Sequence, residues 1–440
     1  MRKFSRSLQM PLVLAALAVM GITACQKNEA GVTVPQVVDP VITNGKDTIY
    51  LGDSLKLSPA LSNVSGTPTY LWMVNGTPVS TDSTFLFKPT DRGDYTISYK
   101  VTAGNAQSPF YYRIKVLAPF ENGYFIVNEG NFPGPGGVNF YRNGDDTMML
   151  NVYNRINPGK SLGTTTEFGA IHNNVLYMVS KQGPFVAADA FSMKETGRIA
   201  TLPADGRAFL GIDNSRGLLS TADGVYQVNL QTFTLGAKVA GISGQAGSMT
   251  KSDSYVFVLT QTDGVVVLNI NDLSVVAKPV KADVGFAKSQ DGRVWAGTGT
   301  NLYSIDGNTL AVKTYTVPFT IYDSWGFWNP GSFSGSKYEN AIYFAQTGQY
   351  GGGTNIYKFV PGIDTTLTTP LIKLPADKEL YGAGVRFNSR DTTLVVTAMK
   401  PGYGTNSQQN TLLIYNAING TLKKSVAYTG YFFPAMPVSN

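Results

Sequence analysis

Few residues of this chain are suited to acid–base or metal chemistry. The 440 residues include one histidine, His172, and one cysteine, Cys25. A disulfide needs two cysteines, and a zinc site needs several clustered Cys or His ligands. The sequence therefore predicts no disulfide, no metal site and no cofactor. His172 is the one candidate imidazole base, but Asn173 and Asn174 follow it, a pattern that predicts a turn between two strands.

Catalytic motifs are also missing from the sequence. It contains no serine elbow, H-E-x-x-H motif, phosphate-binding loop or EF-hand loop. A pair of carboxylates such as Glu129 and Glu167 could still carry out acid–base chemistry. A pair that comes from unrelated loops is weak evidence for that chemistry. We predict that the protein is not an enzyme, with a lyase or hydrolase as the alternative.

The N-terminal segment that contains Cys25 has the features of a secretion signal. Three basic residues occur within the first six positions, and an apolar run from Met10 to Met20 is too short to span a bilayer. Small residues directly precede Cys25, as in a bacterial lipoprotein signal, whose cysteine is acylated and becomes the first residue of the mature chain. We predict a signal peptide over residues 1–24, lipidation at Cys25 and a polar tether over residues 25–35. An ordinary secretory signal with an incidental cysteine is the alternative.

Charge and composition exclude several classes of protein. Charged residues make up 15% of the chain, well below the typical share of about 25%, which argues against coiled coils and charge-rich disorder. Loss of three basic residues with the signal peptide leaves 32 basic and 29 acidic residues, so nothing indicates nucleic-acid binding. Acyl chains give stable membrane anchoring. We expect an outer-membrane protein that faces the cell surface, with a periplasmic orientation as the alternative.

Residues 36–118 have the pattern of a small β-sandwich. Short β-branched and aromatic runs recur between turn residues, and Trp72 is spaced to fill the gap between two sheets. The run from Asp91 to Tyr95 matches the D-x-G-x-Y corner of immunoglobulin-like domains, and with it the segment resembles a PKD or bacterial Ig-like domain. We expect it to act as a spacer, with a binding role as the alternative.

From residue 119 onward the chain repeats itself. Seven similar segments recur roughly every 40 residues, and all but the last are followed by a hydrophobic strand. The segments are Thr166–Ile171, Gly206–Ile212, Gln245–Met249, Val284–Lys288, Ser324–Trp328, Tyr381–Val385 and Tyr431–Ala435. Four strands per repeat is the pattern of a β-propeller blade.

The first and last repeats complete each other. No strands follow the last segment, and no such segment precedes the strand that opens at Gly123. We therefore predict an all-β chain in which residues 119–440 form a seven-bladed β-propeller after the Ig-like sandwich, with residues 431–436 closing the ring. Six or eight blades would require one miscounted repeat, and a sandwich array would not predict this complementation.

One face of that propeller is predicted to bind a ligand. Three long loops, at residues 128–137, 347–354 and 399–410, belong to neighbouring blades, and residues 181–186 extend the arc. Glycines and amides surround single aromatics there, a composition suited to a polar, bulky small molecule. Aromatic packing between blades is the competing explanation for each residue. The candidate ligand-binding residues are Phe132, Gln182, Phe185, Arg207, Trp325, Trp328, Tyr350, Tyr381 and Tyr403.

The first repeat also carries a family resemblance. The run Gly123–Phe132, followed by Asn151–Arg155 and Pro158–Gly163, resembles the propeller surface lipoproteins of Bacteroidetes, which are similar in plan to YncE-like propellers. Known members of that family capture cobalamin and pass it to the vitamin B12 TonB-dependent transporter. The resemblance implies a surface protein that captures a nutrient, specifically cobalamin or another corrinoid, for such a transporter. An adhesion or scaffold protein that binds a partner protein or a glycan is the alternative.

Overall fold

The computed structural model describes residues 34–40, 42, 47–348, 352–402 and 404–439. Cys25, Tyr350 and Tyr403 lie outside the described residues, as do the predicted signal peptide and most of the predicted tether. The chain divides into two compact units, one ending at Val116 and the other beginning at Leu117. Within the described residues, no helix has the length and hydropathy needed to cross a membrane.

The first unit is a β-sandwich with a five-stranded sheet in the order β2-β9-β8-β5-β6 and the smaller pairs β3-β7 and β1-β4. Its strands are β1 (Gln36–Asp39), β2 (Thr48–Tyr50), β3 (Leu55–Leu57), β4 (Ala60–Ser62), β5 (Thr69–Val74), β6 (Thr77–Ser80), β7 (Phe85–Phe87), β8 (Gly93–Ala103) and β9 (Ala106–Leu117).

Two sequence predictions for this unit are confirmed. Trp72 is fully buried, packs on Tyr99 with a 4.3 Å centroid separation, and donates from Nε1 to the Asp82 carbonyl at 2.9 Å. The Tyr95 hydroxyl donates to the Asp91 carbonyl at 2.8 Å, which ties the corner to its own backbone as the D-x-G-x-Y pattern predicts.

The second unit contains seven antiparallel sheets, arranged as the predicted propeller. The first sheet combines β10 (Gly123–Asn128) and β11 (Gly137–Arg142) with the last strand of the chain, and the short helix α1 (Val152–Ile156) follows it. The next three sheets each contain four consecutive strands. They are β12 (Thr164–His172), β13 (Val175–Gln182), β14 (Phe185–Asp189) and β15 (Glu195–Ile199); β16 (Gly206–Gly211), β17 (Arg216–Thr221), β18 (Gly224–Asn229) and β19 (Thr234–Lys238); and β20 (Ala246–Lys251), β21 (Tyr255–Thr260), β22 (Gly264–Asn269) and β23 (Val275–Val280).

Three further four-stranded sheets follow, and two 3-10 turns lie at Asp364–Leu367 and Gly404–Gln408. The strands are β24 (Val284–Lys288), β25 (Val294–Thr298), β26 (Asn301–Ile305) and β27 (Val312–Thr316); β28 (Ser334–Gly335), β29 (Ile342–Ala345), β30 (Asn355–Phe359) and β31 (Ile372–Lys373); and β32 (Glu379–Asn388), β33 (Thr393–Met399), β34 (Gln409–Asn416) and β35 (Leu422–Thr429), before the final strand β36 (Pro434–Ser439).

The C-terminal strand closes the ring. β36 pairs antiparallel with β10, with Tyr124 opposite Ser439 and Val127 opposite Met436. The predicted closure is therefore confirmed, although the strand begins at Pro434 rather than Tyr431. This pairing joins the two ends of the propeller sequence and removes a free sheet edge that would otherwise invite aggregation.

The sixth blade corrects one prediction. Ser324–Trp328 was expected to begin an inner strand, but it forms a turn, and the inner strand of that blade is β28. Asp323 Oδ1 accepts from the Trp325 amide at 3.0 Å, and the Asn329 amide donates to the Ser324 carbonyl at 3.0 Å. These local bonds outweigh the strand preference of closely spaced aromatics.

His172 lies where the sequence predicted, at the end of β12 before the turn at Asn173 and Asn174. Its Nε2 forms a hydrogen bond with the Asp213 carbonyl at 2.8 Å. The imidazole therefore has a structural partner in the neighbouring blade.

Glu195 on the outer strand β15 is expected to contribute to acid stability. Burial opposes its charge, but hydrogen bonds from Arg198, Tyr153 and Lys160 outweigh burial and lower the pKa of Glu195 to about 2. A carboxyl with a lowered folded-state pKa stabilises the protein above its unfolded pKa, and this contribution is lost as pH falls through the folded value. We expect Glu195→Gln to lower the free energy of unfolding at pH 7 and to flatten its decline below pH 4.5, the ordinary glutamate value. Urea unfolding at a series of pH values measures both effects, and equal slopes for the two proteins would contradict the prediction.

Candidate ligand-binding site

A cavity of about 740 Å³ opens on the face that carries the long loops, and this volume is typical of sites for small-molecule ligands. Glu129 follows β10, Gln182 ends β13, Arg207 lies on β16 and Tyr381 lies on β32, so blades from around the ring contribute to it. Residues that are distant in the sequence therefore line the same cavity.

Residues 322–329, which we call the tryptophan segment, form one wall of the cavity. Trp328 is only 1% exposed, and its ring lies 5.5 Å from the guanidinium carbon of Arg207 in a cation–π contact. Phe327 beside it is 94% exposed. Lys181, at the end of β13, donates a hydrogen bond from Nζ to the Phe327 carbonyl. The tryptophan segment of the sixth blade thus contacts residues of the second and third blades, which are far from it in the sequence.

Glycine at position 247 on β20 makes room for Trp328. A Cβ built at Gly247 would lie 2.5 Å from Trp328 Nε1 and 3.2 Å from the Trp325 ring. We expect Gly247→Ala to displace the Trp328 indole and to lower the free energy of unfolding by about 1–3 kcal/mol, the usual cost of overpacking.

Gly326→Ala, within the tryptophan segment, is the matched control, because a Cβ there meets nothing within 4 Å. Chemical unfolding followed by tryptophan fluorescence separates the two variants. Equal stability of Gly247→Ala and wild type would contradict the close packing.

Arg207 and Gln245 form a polar patch inside the cavity. Gln245 Oε1 accepts from Arg207 Nε at 2.9 Å and from Arg207 Nη2 at 2.7 Å, which holds the guanidinium in place. The Asp205 carboxylate lies 3.8 Å from Arg207 Nη1. Burial lowers the pKa of Arg207, although Asp205 and Glu167 act in the opposite direction. A fixed, partly desolvated guanidinium is well suited to carbonyl, phosphate or carboxylate oxygens of a ligand.

A carboxyl cluster forms another part of the site. Glu167 is buried, and its Oε1 accepts from Lys181 Nζ at 3.0 Å. Glu129 Oε2 accepts a hydrogen bond from the Tyr381 hydroxyl, and the charge of Glu129 acts on Glu167. Burial raises the pKa of Glu129 and raises the pKa of Glu167 well above the ordinary value, against the opposing effect of Lys181. The two glutamates considered together in the sequence therefore lie in the same part of the fold, close enough for the charge of one to act on the other.

Polar atoms without partners concentrate at this cavity. Ten buried side-chain N or O atoms of the described residues lack a hydrogen-bond partner, and half of them lie in or beside the site. They are Glu167 Oε2, Ser324 Oγ, Trp325 Nε1, Trp328 Nε1 and Asn329 Oδ1. Since buried polar groups are normally paired, five such atoms in one region are unusual and make this cavity the leading candidate for a ligand site.

The structure brings most of the predicted binding residues together. Those that line the cavity are Phe132, Gln182, Arg207, Trp325, Trp328 and Tyr381. That any of them contacts a ligand remains a prediction. Tyr350 and Tyr403 fall outside the described residues.

Phe185 requires a correction. It is fully buried, lies 5.3 Å from Phe209 and 5.0 Å from Phe233 between ring centroids, and packs in the core between blades. The loop in which the sequence analysis placed it ends earlier, because β14 already begins at Phe185. Its ring therefore has no surface available to a ligand.

Sequence reasoning missed several other lining residues. These are Asp205, Gln245, Tyr322, Asp323 and Phe433, together with Lys181, Phe327 and Glu129, which fell within segments or pairs named from the sequence but were not chosen as binding residues. Gln245 opens its repeat near the position that Arg207 occupies in the preceding repeat, and this alignment was the available signal. Nothing local marks Tyr322 or Asp323.

The fold and the cavity define a β-propeller preceded by a PKD-like domain. Residues 122–440 match the family described as a domain of unknown function (DUF5074), and residues 35–103 match the PKD-like domain family. Because the first match spans most of the chain, the protein belongs to the DUF5074 family.

A solved structure supports the fold. A quinonprotein alcohol dehydrogenase-like protein from Bacteroides thetaiotaomicron is 20% identical, with a TM-score of 0.59 over 92% of this chain and 98% of that one. The WD40 domain of Neurospora crassa Pan2 is 13% identical over 60% of this chain and 79% of that one, with a TM-score of 0.43, too low to support an argument. Identities at this level indicate shared architecture and not shared activity. No curated protein matched the chain.

Proposed function

We propose that this protein is a cell-surface lipoprotein whose propeller captures a polar, bulky small molecule in the cavity beside the tryptophan segment. The observation that carries the proposal is the combination of aromatic walls with buried donors and acceptors that lack partners. Aromatic faces bury a ligand at low cost in side-chain entropy, and partnerless polar atoms give directional bonds. The PKD-like unit serves as a spacer between the lipid anchor and the propeller.

Cobalamin or another corrinoid is the specific ligand we propose, delivered to a TonB-dependent outer-membrane transporter. The resemblance of the first repeat to cobalamin-capturing lipoproteins supports it. So does the cavity mouth, where Phe132 is 65% exposed and Phe327 is 94% exposed. A planar ligand larger than the cavity would rest on these rings while its polar groups reach Arg207 and Gln182.

Calorimetric titration of the purified full chain with cyanocobalamin tests the corrinoid assignment. We expect binding at micromolar concentrations, and Phe327→Ala should weaken it by about 1–2 kcal/mol through lost stacking. Tyr111→Ala, at an aromatic of the first unit that is 61% exposed, is the control that should bind as wild type does. The absence of any heat at micromolar concentrations would exclude cyanocobalamin as the ligand.

An adhesion or scaffold role is the second candidate. Large exposed aromatics such as Phe327 also occur where a partner protein or glycan docks. Co-purification with a TonB-dependent channel supports nutrient capture, whereas retention on a glycan array without cyanocobalamin binding supports adhesion.

Turnover of a glycan or lactone would be needed to support a lyase or hydrolase. Release of Cys25→Ser from the membrane fraction would support the lipid anchor.

A further inference from the structure

A second cavity, of about 310 Å³, lies between the sixth and seventh blades, and we call it the polar pocket. Its lining differs from that of the larger cavity, because no aromatic residue of the described chain contributes to it. Apart from glycines and Pro401, every lining residue carries a polar side chain, and these residues are Gln346, Thr347, Thr354, Asn355 and Glu379. Thr347 and Gly348 also line the larger cavity, so the two cavities share a wall.

Glu379, the first residue of β32, is the charged side chain of this lining. It is only 8% exposed, and its Oε1 accepts a hydrogen bond from the Gly402 amide at 3.3 Å. No lysine or arginine of the described residues forms an ion pair with it. Burial raises the pKa of this carboxyl, as expected for a charge without a nearby cation. Because a carboxylate has about four acceptor positions, Glu379 can accept further bonds from a group inside the pocket.

An amide pair fixes the donors of the polar pocket. Asn355 Nδ2 donates to Gln346 Oε1 at 2.9 Å. Because that oxygen is occupied, Gln346 presents its Nε2 group as a donor for another partner. Asn355 Oδ1 is buried without a partner among the described residues, and it adds partial negative charge to the same lining. The pocket therefore combines strong acceptors with amide and hydroxyl donors.

Close backbone contacts keep the polar pocket open. A Cβ at Gly348 would lie 2.3 Å from Gly353 Cα, and a Cβ at Gly353 would lie 2.3 Å from the Gln346 carbonyl oxygen. The Leu380 amide donates to the Gly353 carbonyl at 2.9 Å, which ties this wall to the strand that carries Glu379. Glycine is therefore required where the walls approach each other, and the pocket is formed before any ligand arrives.

We propose that the polar pocket binds a hydroxyl-rich group, namely a sugar ring. Neighbouring hydroxyls donate to the Glu379 carboxylate, while Gln346 Nε2 donates to a hydroxyl oxygen. A sugar hydroxyl both donates and accepts, which matches a lining of carboxylate, amide and hydroxyl groups. A lone ammonium group would bond Glu379 but leave the rest of the lining unused, and a single carboxylate is a poor site for a metal ion. The proposal does not require a corrinoid in the larger cavity.

Saturation-transfer difference NMR of the full chain with glucose, galactose, mannose and xylose tests the proposal. We expect ring-proton signals from at least one of these sugars at millimolar concentrations. Glu379→Gln should weaken the binding of that sugar by about tenfold or more, the usual effect of losing a hydrogen bond to a charged group. Gln346→Glu, which replaces the Nε2 donor by an acceptor, should weaken it as well. No corrinoid is present, so the outcome is independent of the cyanocobalamin titration.

Asp377→Asn is the matched control. The Asp377 side chain is 69% exposed and lies outside the pocket lining, so this variant should bind the sugar as wild type does. The absence of a signal from every sugar, or wild-type affinity in Glu379→Gln, would overturn the proposal. So would a methylamine or calcium signal that Glu379→Gln abolishes, without any sugar binding. If thermal unfolding shows that Glu379→Gln does not fold, equal sugar affinity of Gln346→Glu and wild type overturns the proposal instead.

Discussion

Trp328→Ala is expected to lower the free energy of unfolding of the propeller by about 3–5 kcal/mol, the range for truncating a buried aromatic. Trp328 is 1% exposed, packs against Gly247 and lies over Arg207, so its removal leaves a void that the rigid inner strands cannot fill. A loss of that size is a large fraction of the 5–15 kcal/mol that stabilises a typical domain. Urea unfolding monitored by circular dichroism measures it.

The control is Phe327→Ala in the adjacent position. Phe327 is 94% exposed, so its truncation should change stability by no more than about 0.5 kcal/mol. The pair therefore separates the structural role of the tryptophan segment from its role in binding. Similar losses for the two variants would mean that the burial of Trp328 contributes little.

Val438→Asp is expected to prevent stable closure of the ring. Val438 is buried on β36 opposite Phe125, in the core shared by the first blades. An unpaired carboxylate there must either be buried without a partner or pull the strand out of its sheet. Burying a Val or Met side chain stabilises a fold by roughly 1.5–3 kcal/mol, so losing the contacts of β36 costs on the order of 5 kcal/mol.

Val312→Asp on the outer strand β27 is the matched control. Val312 is exposed on β27, whose side chains are mostly at the surface, so we expect a change within about 0.5 kcal/mol. Limited proteolysis and thermal unfolding of the two variants distinguish them. A Val438→Asp protein that melts together with Val312→Asp would show that the propeller stands without its closing strand.

Much of the architecture could be predicted from the sequence, because each blade is a local unit of consecutive strands. Repeat starts such as Gly206–Ile212 and Gln245–Met249 became the inner strands β16 and β20. The prediction that Ser324–Trp328 begins an inner strand was wrong. The spacing of its aromatic residues resembles that of a strand, but hydrogen bonds from the Asp323 side chain and the nearby backbone form a turn. Local pattern does not reveal which of these competing bonds is made.

The candidate site was less predictable. Arg207, Tyr381 and Trp328 were found because they stand at or near repeat starts, and repeat starts meet at the centre of a ring. Phe185 was misplaced because one residue of loop length decides between an exposed tip and a buried strand.

By itself, the sequence determined the all-β class, the seven repeats and the closing strand, because strand periodicity and turn residues are local properties of the chain. Only the tertiary structure decided that Lys181 bonds Glu167 and the carbonyl of Phe327, a residue 146 positions away. It likewise decided that the Tyr381 hydroxyl of the last blade donates a hydrogen bond to Glu129 of the first blade. Contacts of this kind depend on how the ring closes, and closure is a property of all the blades together.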